Sequence, residues 1–160
     1  GFFVIYGVSL SFPTPNDSEW ERINEPQITG IKETAQQIKQ LICDSIVKIN
    51  STTRRKIIVI YIPQRWDSYT SYQIDGESFD LHDYIKAFCA EKGIMSQLIR
   101  EKTINDTIQK CQIHWWLSLS FFVKSFRTPW ILANTNNTTA FAGLGYSVES
   151  KKDIKRIFMI

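Results

Sequence analysis

Apolar and polar positions alternate along the chain in a way that predicts helices and strands in turn. Between residues 28 and 49, apolar residues recur about every 3.6 positions, which predicts an amphipathic helix. The run Ile57–Ile62 is uninterrupted and apolar, as in strands that are buried on both faces of a parallel sheet. Pro63 ends this run. The pattern therefore predicts a central strand whose sheet is covered by the preceding helix.

A short helix is predicted after a polar loop at residues 66–77. Asp80 is a typical N-cap residue, and Asp83 occupies the third helical position, where an acidic side chain is favourable. Gly93 is the residue type that most often follows the last turn of a helix. We therefore expect a helix that begins after Asp80 and stops at Gly93.

Strands and helices continue to alternate on both sides of this region. Residues 2–12 and 94–101 each predict a strand, and a helix capped by Thr103 is predicted to run to about Phe126. A third strand is predicted at residues 129–133. Alternation of this kind predicts an α/β fold with a mostly parallel sheet flanked by helices and right-handed crossovers.

The end of the chain differs in character from the rest. Residues 141–148 and 154–160 predict two strands joined by a charged hairpin. Because the chain stops on an apolar strand without a polar tail, we expect these strands to open a further domain of a longer protein. The predicted organisation is a strand and loop at 1–27, a main domain at 28–138 and the start of a following domain at 139–160.

Composition narrows the classes of function. The chain has 160 residues, 43% hydrophobic and 22% charged, which is typical of one soluble globular domain. Its net charge of +3 is only mildly basic, so phosphate binding would depend on local placement of cations. No apolar run approaches the roughly 18 to 20 residues needed to cross a bilayer. A cytoplasmic location without membrane contact is the expectation.

Three cysteines, Cys43, Cys89 and Cys111, are an odd number and lack the CxxC spacing of zinc sites. They lie within apolar helical patterns. A disulfide framework or a metal site is therefore not expected, and all three are predicted to be small core residues.

Four polar residues have spacings that would let them converge on one anion. His82 would lie in the first turn of the short helix, where free backbone N–H groups and the helix dipole favour negative charge. Lys86 lies one turn later on the same face, Gln97 ends a strand, and Lys124 lies near the end of the long helix. Charge-assisted hydrogen bonds to phosphate contribute roughly 1.5 to 3 kcal/mol each, enough to distinguish a phosphorylated end from a hydroxyl.

Simpler interpretations of the same residues stay open. A His–Lys pair at this spacing is common on a solvated helix face, and Lys124 could extend to solvent. A Rossmann-like enzyme domain that binds a mononucleotide is one alternative, although Pro63-Gln64-Arg65 does not supply the Gly-rich turn it needs. A structural protein-interaction domain, in which the four residues are simply surface, is another.

The order of these residues resembles the MID domain of Argonaute and Piwi proteins. The pattern HxxxK at His82 and Lys86 precedes Gln97, and Lys124 precedes the Pro-Trp-Ile-Leu sequence at residues 129–132. The resemblance implies a Rossmann-like MID domain in which His82, Lys86, Gln97 and Lys124 hold the 5′-phosphate of a guide strand. It covers residues 80–132 of the 160.

Further contacts are implied by the same resemblance. Ser120 stands where the family often has a second lysine, and a bound Mg²⁺ ion at the 5′-phosphate or Arg127 could compensate for its absence. Phe126 and Arg127 replace a frequent Gly-Gly pair, so the turn there is expected to differ. Tyr69 and Tyr72 lie in a loop that could contact the first base, and a merely exposed loop is equally compatible.

The tail extends the resemblance to a second domain. Residues 142–147 are similar to the first strand of the PIWI domain, which has an RNase H-like fold. Gly145 stands where strand-cleaving Argonautes have their first metal-binding aspartate, so cleavage is expected to be absent and no catalytic residue is predicted. Short prokaryotic Argonautes are the most similar branch. This implies a single-stranded guide of RNA or DNA, a complementary target strand, and a separate effector protein in antiviral defence.

Overall fold

The first part of the chain forms a mixed α/β structure with a small parallel sheet flanked by helices. The chain divides into two compact units, Gly1–Pro129 and Trp130–Ile160. No helix in the described part of the chain has both the length and the apolar character needed to cross a bilayer. The computed structural model describes residues 7, 9–50, 56–125, 146–151 and 154–159, the last two ranges by their backbone alone.

The predicted α/β class is thereby confirmed at this level, and the two closing strands pair antiparallel as expected. The third strand predicted at 129–133 lies outside the described residues. In chain order the elements are α1 (Ile31–Ile49), β1 (Ile57–Ile62), a 3-10 helix (Gln64–Tyr69), β2 (Ser71–Ile74), β3 (Glu77–Asp80), α2 (Leu81–Glu91), β4 (Met95–Arg100), the helical turn α3 (Glu101–Ile104), α4 (Lys110–Lys124), β5 (Tyr146–Lys151) and β6 (Ile154–Met159).

The parallel sheet pairs β1 with β4, from Ile57 opposite Met95 to Ile62 opposite Arg100. The 3-10 helix, a hairpin and α2 lie between the two strands in sequence, which is the long connection that parallel strands require. Both strands therefore end at the same edge of the sheet. Ligands of open α/β sheets commonly bind beside this edge.

The prediction that β1 is buried on both faces is wrong within the described residues. Ile58, Ile60 and Ile62 are buried, whereas Val59 is 43% exposed and Tyr61 is 50% exposed. Branched and aromatic residues favour strands even at open positions, so a continuous apolar run does not show which face is covered. Only the alternation of buried and exposed side chains in the structure shows that one face of β1 is covered.

The hydrophobic core lies where α1 and α2 meet the covered face of β1. Apolar side chains at helical spacing on α1 and α2 supply most of it, as the periodicity predicts. Burying each large aliphatic side chain contributes about 1.5 to 3 kcal/mol, so this cluster dominates the stability of the unit. Its largest fully buried apolar members are Ile38, Ile42, Ile46, Ile62, Leu81, Ile85 and Cys89.

The start of α1 is later than predicted. The helix begins at Ile31 and not at residue 28, and Ile28 is 74% exposed. The Thr29 N–H donates to Thr34 Oγ1 at 3.3 Å, so the chain before Gly30 folds back onto the first turn instead of extending it. The periodicity alone cannot show this local hydrogen bond.

The segment before α1 contains no strand in its described part. Residues 9–12, the described end of the strand predicted at 2–12, have no regular structure, and the remainder of that stretch, apart from Gly7, lies outside the described residues. Further along, Glu21 pairs with Lys48 at 2.6 Å, and Glu25 accepts a hydrogen bond from Trp66 Nε1 at 3.0 Å. Acidic side chains thus fasten this segment to the core.

Both ends of α2 are confirmed as predicted. Asp80 Oδ1 accepts a hydrogen bond from the Asp83 N–H at 3.0 Å, which satisfies one free donor of the first turn. Gly93 follows the helix with φ +65°, and the Ile94 N–H returns to the Cys89 carbonyl at 2.8 Å. This is a Schellman closure, which favours glycine because other residues are strained at that angle.

The polar loop predicted at residues 66–77 is wrong, because this range contains most of the 3-10 helix and the first strand and turn of a β-hairpin. β2 and β3 pair from Ser71 opposite Asp80 to Ile74 opposite Glu77. Asp75 and Gly76 connect them with φ values of 53° and 78°. Positive values at both positions are typical of a type I′ turn, for which Asp-Gly is a strong signal.

The long helix predicted from Thr103 is also wrong at its start. The chain forms the single turn α3, leaves the helical path, and begins α4 only at Lys110. Asp106 Oδ1 accepts hydrogen bonds at 2.9 Å from the N–H groups of Ile108 and Gln109, which holds a turn between the two helices. The helix ends at Lys124, and Phe126 lies outside the described residues.

The cysteines divide between core and surface. Cys43 and Cys89 are buried as predicted, but Cys111 is exposed near the start of α4. The prediction for Cys111 is wrong because α4 has no buried residue. Its apolar composition indicated a core helix that the described structure does not show.

Candidate functional site

Lys86, Gln97, Ser120 and Lys124 come from three elements that meet beside β4. Lys86 lies on α2, Gln97 on β4, and Ser120 and Lys124 lie one turn apart on α4. The Ser120 hydroxyl donates to Gln97 Oε1 at 2.8 Å, and Lys124 Nζ donates to the same oxygen. One amide oxygen thus connects α4 to the sheet.

Two carbonyl groups of β4 accept hydrogen bonds from side chains. Lys86 Nζ donates to the Ser96 carbonyl at 2.8 Å, and Gln97 Nε2 donates to the Leu98 carbonyl at 3.0 Å. Backbone acceptors on a strand need a partner when they are shielded from water. These bonds hold the Lys86 ammonium and the Gln97 amide in fixed directions along the strand.

The electrostatics of this group are unusual for a structural cluster. Burial, followed by the nearby charge of Lys86, lowers the pKa of Lys124 from 10.5 to about 8. Within the part of the chain that the structure describes, neither ammonium forms an ion pair with a carboxylate. Two half-buried cations held close together are unfavourable unless an anion joins them. The group is therefore a place where an anion would be stabilised.

His82 lines an adjoining cavity, and within the described residues it forms no hydrogen bond or ion pair with the other three predicted residues. Its side chain is 52% exposed, and Nδ1 lies 3.1 Å from Asp83 Oδ1. A cavity of about 180 Å³ is lined by both His82 and Gln97. The structure thus brings Lys86, Gln97 and Lys124 together and places His82 on the wall of the neighbouring space.

The remaining predicted contacts lie elsewhere or outside the described residues. Tyr69 packs against the core, and the Tyr72 hydroxyl accepts a hydrogen bond from Gln36 Nε2 at 3.2 Å while its ring stacks on Phe79. Both tyrosines therefore serve the packing of the 3-10 helix and hairpin and do not line the cavity. The predicted contact Arg127, the Pro-Trp sequence at 129–130 and Gly145 lie outside the described residues.

The cavity also contains residues that the sequence did not single out. Arg100 ends β4, and a cation at the carboxyl end of a parallel strand is the signal that could have identified it. Hydroxyl groups and aliphatic walls complete the space, and their sequence positions carry no distinctive pattern. Apart from His82 and Gln97, the lining residues are Ile62, Thr70, Leu81, Leu98, Ile99, Arg100, Thr103 and Leu117.

The donor set does not fit a magnesium ion held by the protein itself. Mg²⁺ prefers oxygen ligands, usually including a carboxylate. Lys86 and Lys124 are cations, and Gln97 Oε1 already accepts two hydrogen bonds. Exposed Asp80, His82 and Asp83 have ligand atoms within 4.8 Å of one another, but Asp80 is used as a helix cap. A metal ion at the lysine pair would have to enter with phosphate oxygens.

No protein family matches this chain, and no characterised protein matches it in sequence. The functional assignment therefore depends on the geometry beside β4. The side chains there offer two ammonium groups, a carboxamide and a hydroxyl. These donors suit phosphate oxygens, which accept hydrogen bonds.

Proposed function

We propose that this chain binds the 5′-phosphate of a single-stranded nucleic acid, as the guide-binding module of an Argonaute-like protein. The observation that carries this proposal is the pair Lys86 and Lys124, held close together on β4 without a carboxylate partner among the described residues. The likeness of residues 80–132 to a MID domain, and the Rossmann-like architecture it implies, belong to the same proposal.

The charge of a terminal phosphate explains the expected preference for a 5′-phosphorylated end. A phosphate monoester carries about −1.5 to −2 charges near neutral pH, whereas an internal diester carries one. Lys124 has three donors, so it can keep its bond to Gln97 and still bind a phosphate oxygen. Each charge-assisted bond contributes about 1.5 to 3 kcal/mol, so both lysines together would dominate the affinity.

His82 has a separate part in the proposal. Its exposed ring lies at the start of α2, on the cavity that adjoins Gln97. An exposed aromatic ring beside a phosphate site can stack on an unpaired base, which contributes about 1 to 3 kcal/mol per base. We therefore assign His82 to the first base and the lysines to the phosphate.

Strand cleavage is not part of the proposed function. The proposal takes Gly145 to replace the first metal-binding aspartate of cleaving Argonautes, so two-metal hydrolysis would lack a ligand. The module would instead present the guide to a complementary target and transmit pairing to a separate effector protein. Both RNA and DNA guides are compatible with the side chains beside β4, since their donors would bind phosphate oxygens and not the sugar.

A binding titration tests the proposal directly. The 160-residue chain would be titrated against single strands of RNA and DNA that differ only in a 5′-phosphate or a 5′-hydroxyl, with the dye at the 3′ end. We expect the phosphorylated strand to bind at least about tenfold more tightly, since one charge-assisted hydrogen bond alone corresponds to that factor. Lys86→Ala or Lys124→Ala should remove most of this difference.

Lys110→Ala is the matched control, because Lys110 lies on the same helix as Lys124 and is exposed. It should leave the preference for the phosphorylated strand unchanged, and thermal unfolding should show all variants folded. Equal binding of both strand ends by the unmodified chain would reject the proposal. Tight binding of a free mononucleotide with no gain from a longer strand would favour a mononucleotide-binding enzyme domain instead.

A further inference from the structure

The surroundings of the Lys124 amine are fixed by hydrogen bonds to neighbouring positions of β4. Lys124 Nζ donates to Gln97 Oε1, and the Ser120 hydroxyl donates to the same oxygen at 2.8 Å. Lys86 Nζ reaches the same stretch of the strand from α2, where it donates to the Ser96 carbonyl at 2.8 Å. The Lys124 amine is therefore held beside both a hydrogen-bond acceptor and a second ammonium group.

These surroundings also make Lys124 a nucleophile at neutral pH. Burial and the charge of Lys86 lower its pKa to about 8. At pH 7.4 about one Lys124 side chain in five is therefore a neutral amine, whereas a lysine with a pKa near 10.4 has about one neutral amine in a thousand. A neutral amine has a free electron pair that can attack carbon. Lys124 is thus suited to covalent modification without a separate base.

The pair of amines has no negative charge beside it in the part of the chain that the structure describes. Neither Lys86 nor Lys124 takes part in an ion pair there. Acetylation of a lysine removes its charge and methylation keeps it, so neither reaction supplies an anion. Carbon dioxide does, because it converts an amine into an anionic carbamate. Such a product would replace the repulsion between two cations with an ion pair.

We infer that Lys124 is a carbon dioxide site, at which its side chain forms a carbamate. The electron pair of Nζ forms a bond to the carbon, one C=O bond pair moves to oxygen, and Nζ releases a proton to solvent. The product Nζ–COO⁻ keeps one N–H group, which preserves the hydrogen bond to Gln97 Oε1, and its oxygens accept from the Lys86 ammonium. Loss of carbon dioxide reverses the reaction.

The carbamate and a bound 5′-phosphate exclude each other. Carbamate formation converts the two positive charges of Lys86 and Lys124 into one positive and one negative charge, so the group no longer attracts a phosphate. Carbon dioxide would thereby weaken binding of a 5′-phosphorylated strand. This consequence rests on the proposed function, whereas the carbamate itself requires only the geometry beside β4.

Chemical trapping tests the inference on the unmodified chain. The 160-residue protein would be equilibrated with ¹³C-labelled bicarbonate and carbon dioxide at about pH 7.4, treated with triethyloxonium to convert carbamates into stable ethyl esters, and digested for mass spectrometry. We expect at least about tenfold more label at residue 124 than at any other lysine, because the fractions of neutral amine differ by more than that factor. Equal labelling of residue 124 and the exposed lysines would overturn the inference.

Two variants test whether the second ammonium holds the carbamate. Lys86→Met should lower the label at residue 124 severalfold, because it removes the cation that pairs with the product. Lys110→Met is the matched control, since Lys110 is exposed on the same helix, and it should leave this label unchanged. Thermal unfolding would verify that both variants are folded. Unchanged labelling in folded Lys86→Met would reject the proposed ion pair and with it the inference.

Competition with nucleic acid separates this inference from the proposed function. A 5′-phosphorylated octanucleotide should lower the label at residue 124, and the same strand with a 5′-hydroxyl should not. Preference for the phosphorylated end without label at residue 124 would overturn the carbon dioxide site alone. Label at residue 124 without any end preference would support the carbon dioxide site and reject the proposed function.

Discussion

α2 and α4 both contact β4, but the two helices are held there by opposite kinds of interaction. α2 has a side-chain cap at its start, a closing glycine after its end, and three buried side chains, Leu81, Ile85 and Cys89. α4 has no side-chain cap and no buried residue, and it is joined to β4 by hydrogen bonds from Ser120 and Lys124. The core therefore fixes α2, whereas hydrogen bonds to one amide fix α4.

This contrast indicates how the chain divides stability from binding. Apolar burial is strong and has no direction, so it can orient α2 without using the polar face of that helix. The face that is left carries Lys86. On α4 the polar groups themselves make the contact, so Lys124 stays in an environment where its charge is unfavourable. Binding sites commonly retain such local costs because function requires them.

The largest expected effect tests the apolar burial that holds α2 against the core. Ile85 is fully buried between the helices and the sheet, and Ile85→Ala should lower the free energy of unfolding by about 2 to 5 kcal/mol. Chemical denaturation of the purified chain would measure it. Ile108→Ala is the matched control, since Ile108 is 94% exposed and should change the free energy by less than about 0.5 kcal/mol.

An equal decrease in both variants would show that burial in this region does not determine stability. The contrast between α2 and α4 would then have no energetic basis.

The next effect concerns Lys124 on α4 and the pH dependence of phosphate binding. In the free chain the pKa of Lys124 is about 8, and a bound phosphate should raise it. Affinity for a 5′-phosphorylated strand is therefore complete below pH 8 and falls as pH rises through that value, by up to about tenfold over one pH unit. Titrations from about pH 7 to about pH 9.5 would show the decline.

Lys124→Met should give a flat profile over the same range, because the titrating group is gone. A 5′-hydroxyl strand should also show little change with the unmodified chain. If affinity for the phosphorylated strand is constant across the whole range, Lys124 does not bind the phosphate as its ammonium form.

Sequence periodicity predicted the part of the fold that is held by apolar burial. α1, β1, α2 and β4 were predicted within a few residues, because each has an apolar pattern or a cap that is encoded locally. Asp80 and Gly93 marked the ends of α2 because their roles depend only on the adjacent backbone. The Asp75-Gly76 turn was missed although it is also a local signal.

What sequence alone could not supply depends on contacts between distant residues. The helical path is interrupted before α4 because the side chain of Asp106 accepts hydrogen bonds from backbone N–H groups there. The apolar periodicity of the sequence continues across this interruption and therefore does not reveal it. The polar residues were predictable by type, but the bond between Lys124 and Gln97 joins positions 27 apart. Arg100 was missed because no motif includes it.

A smaller effect compares the aspartates that precede the two helices. Asp80 caps α2, whereas Asp106 accepts backbone hydrogen bonds from Ile108 and Gln109 in the turn before α4. Replacing either with Ala should cost about 1 kcal/mol locally. Asp80→Ala should lower global stability, because α2 is part of the core. Asp106→Ala should mainly increase hydrogen exchange at the start of α4, because that helix can open without disrupting the core.

Hydrogen exchange and denaturation on the same two variants separate these outcomes. If Asp106→Ala lowers the global free energy of unfolding as much as Asp80→Ala does, α4 unfolds together with the core. The polar contacts of α4 would then contribute to the cooperative unit, and the two helices would not differ in what holds them.

The smallest effect is expected from Lys124→Met, and it has the opposite sign. Below pH 8 the ammonium of Lys124 is charged in both the folded and the unfolded chain, and burial near Lys86 makes it unfavourable only in the folded one. Between pH 8 and 10.5 the folded chain releases this proton first, so the unfolded chain binds more protons and stability rises with pH. Removing the charge should therefore stabilise the chain near neutral pH, by less than about 1 kcal/mol because solvent screens a partly exposed group.

The difference between Lys124→Met and the unmodified chain should shrink as pH rises from 8 to 10.5, because the lysine is by then neutral in the folded chain, and the unfolded chain begins to lose the same proton only near 10.5. Denaturation at several pH values would measure it, with Lys110→Met on the same helix as a control that shows no such trend. A variant that gains stability while losing its preference for the 5′-phosphate would show that α4 is positioned for an anion at a cost to the fold. If Lys124→Met is instead destabilising near neutral pH, its hydrogen bond to Gln97 outweighs the repulsion, and the lysine is a structural link between α4 and the sheet.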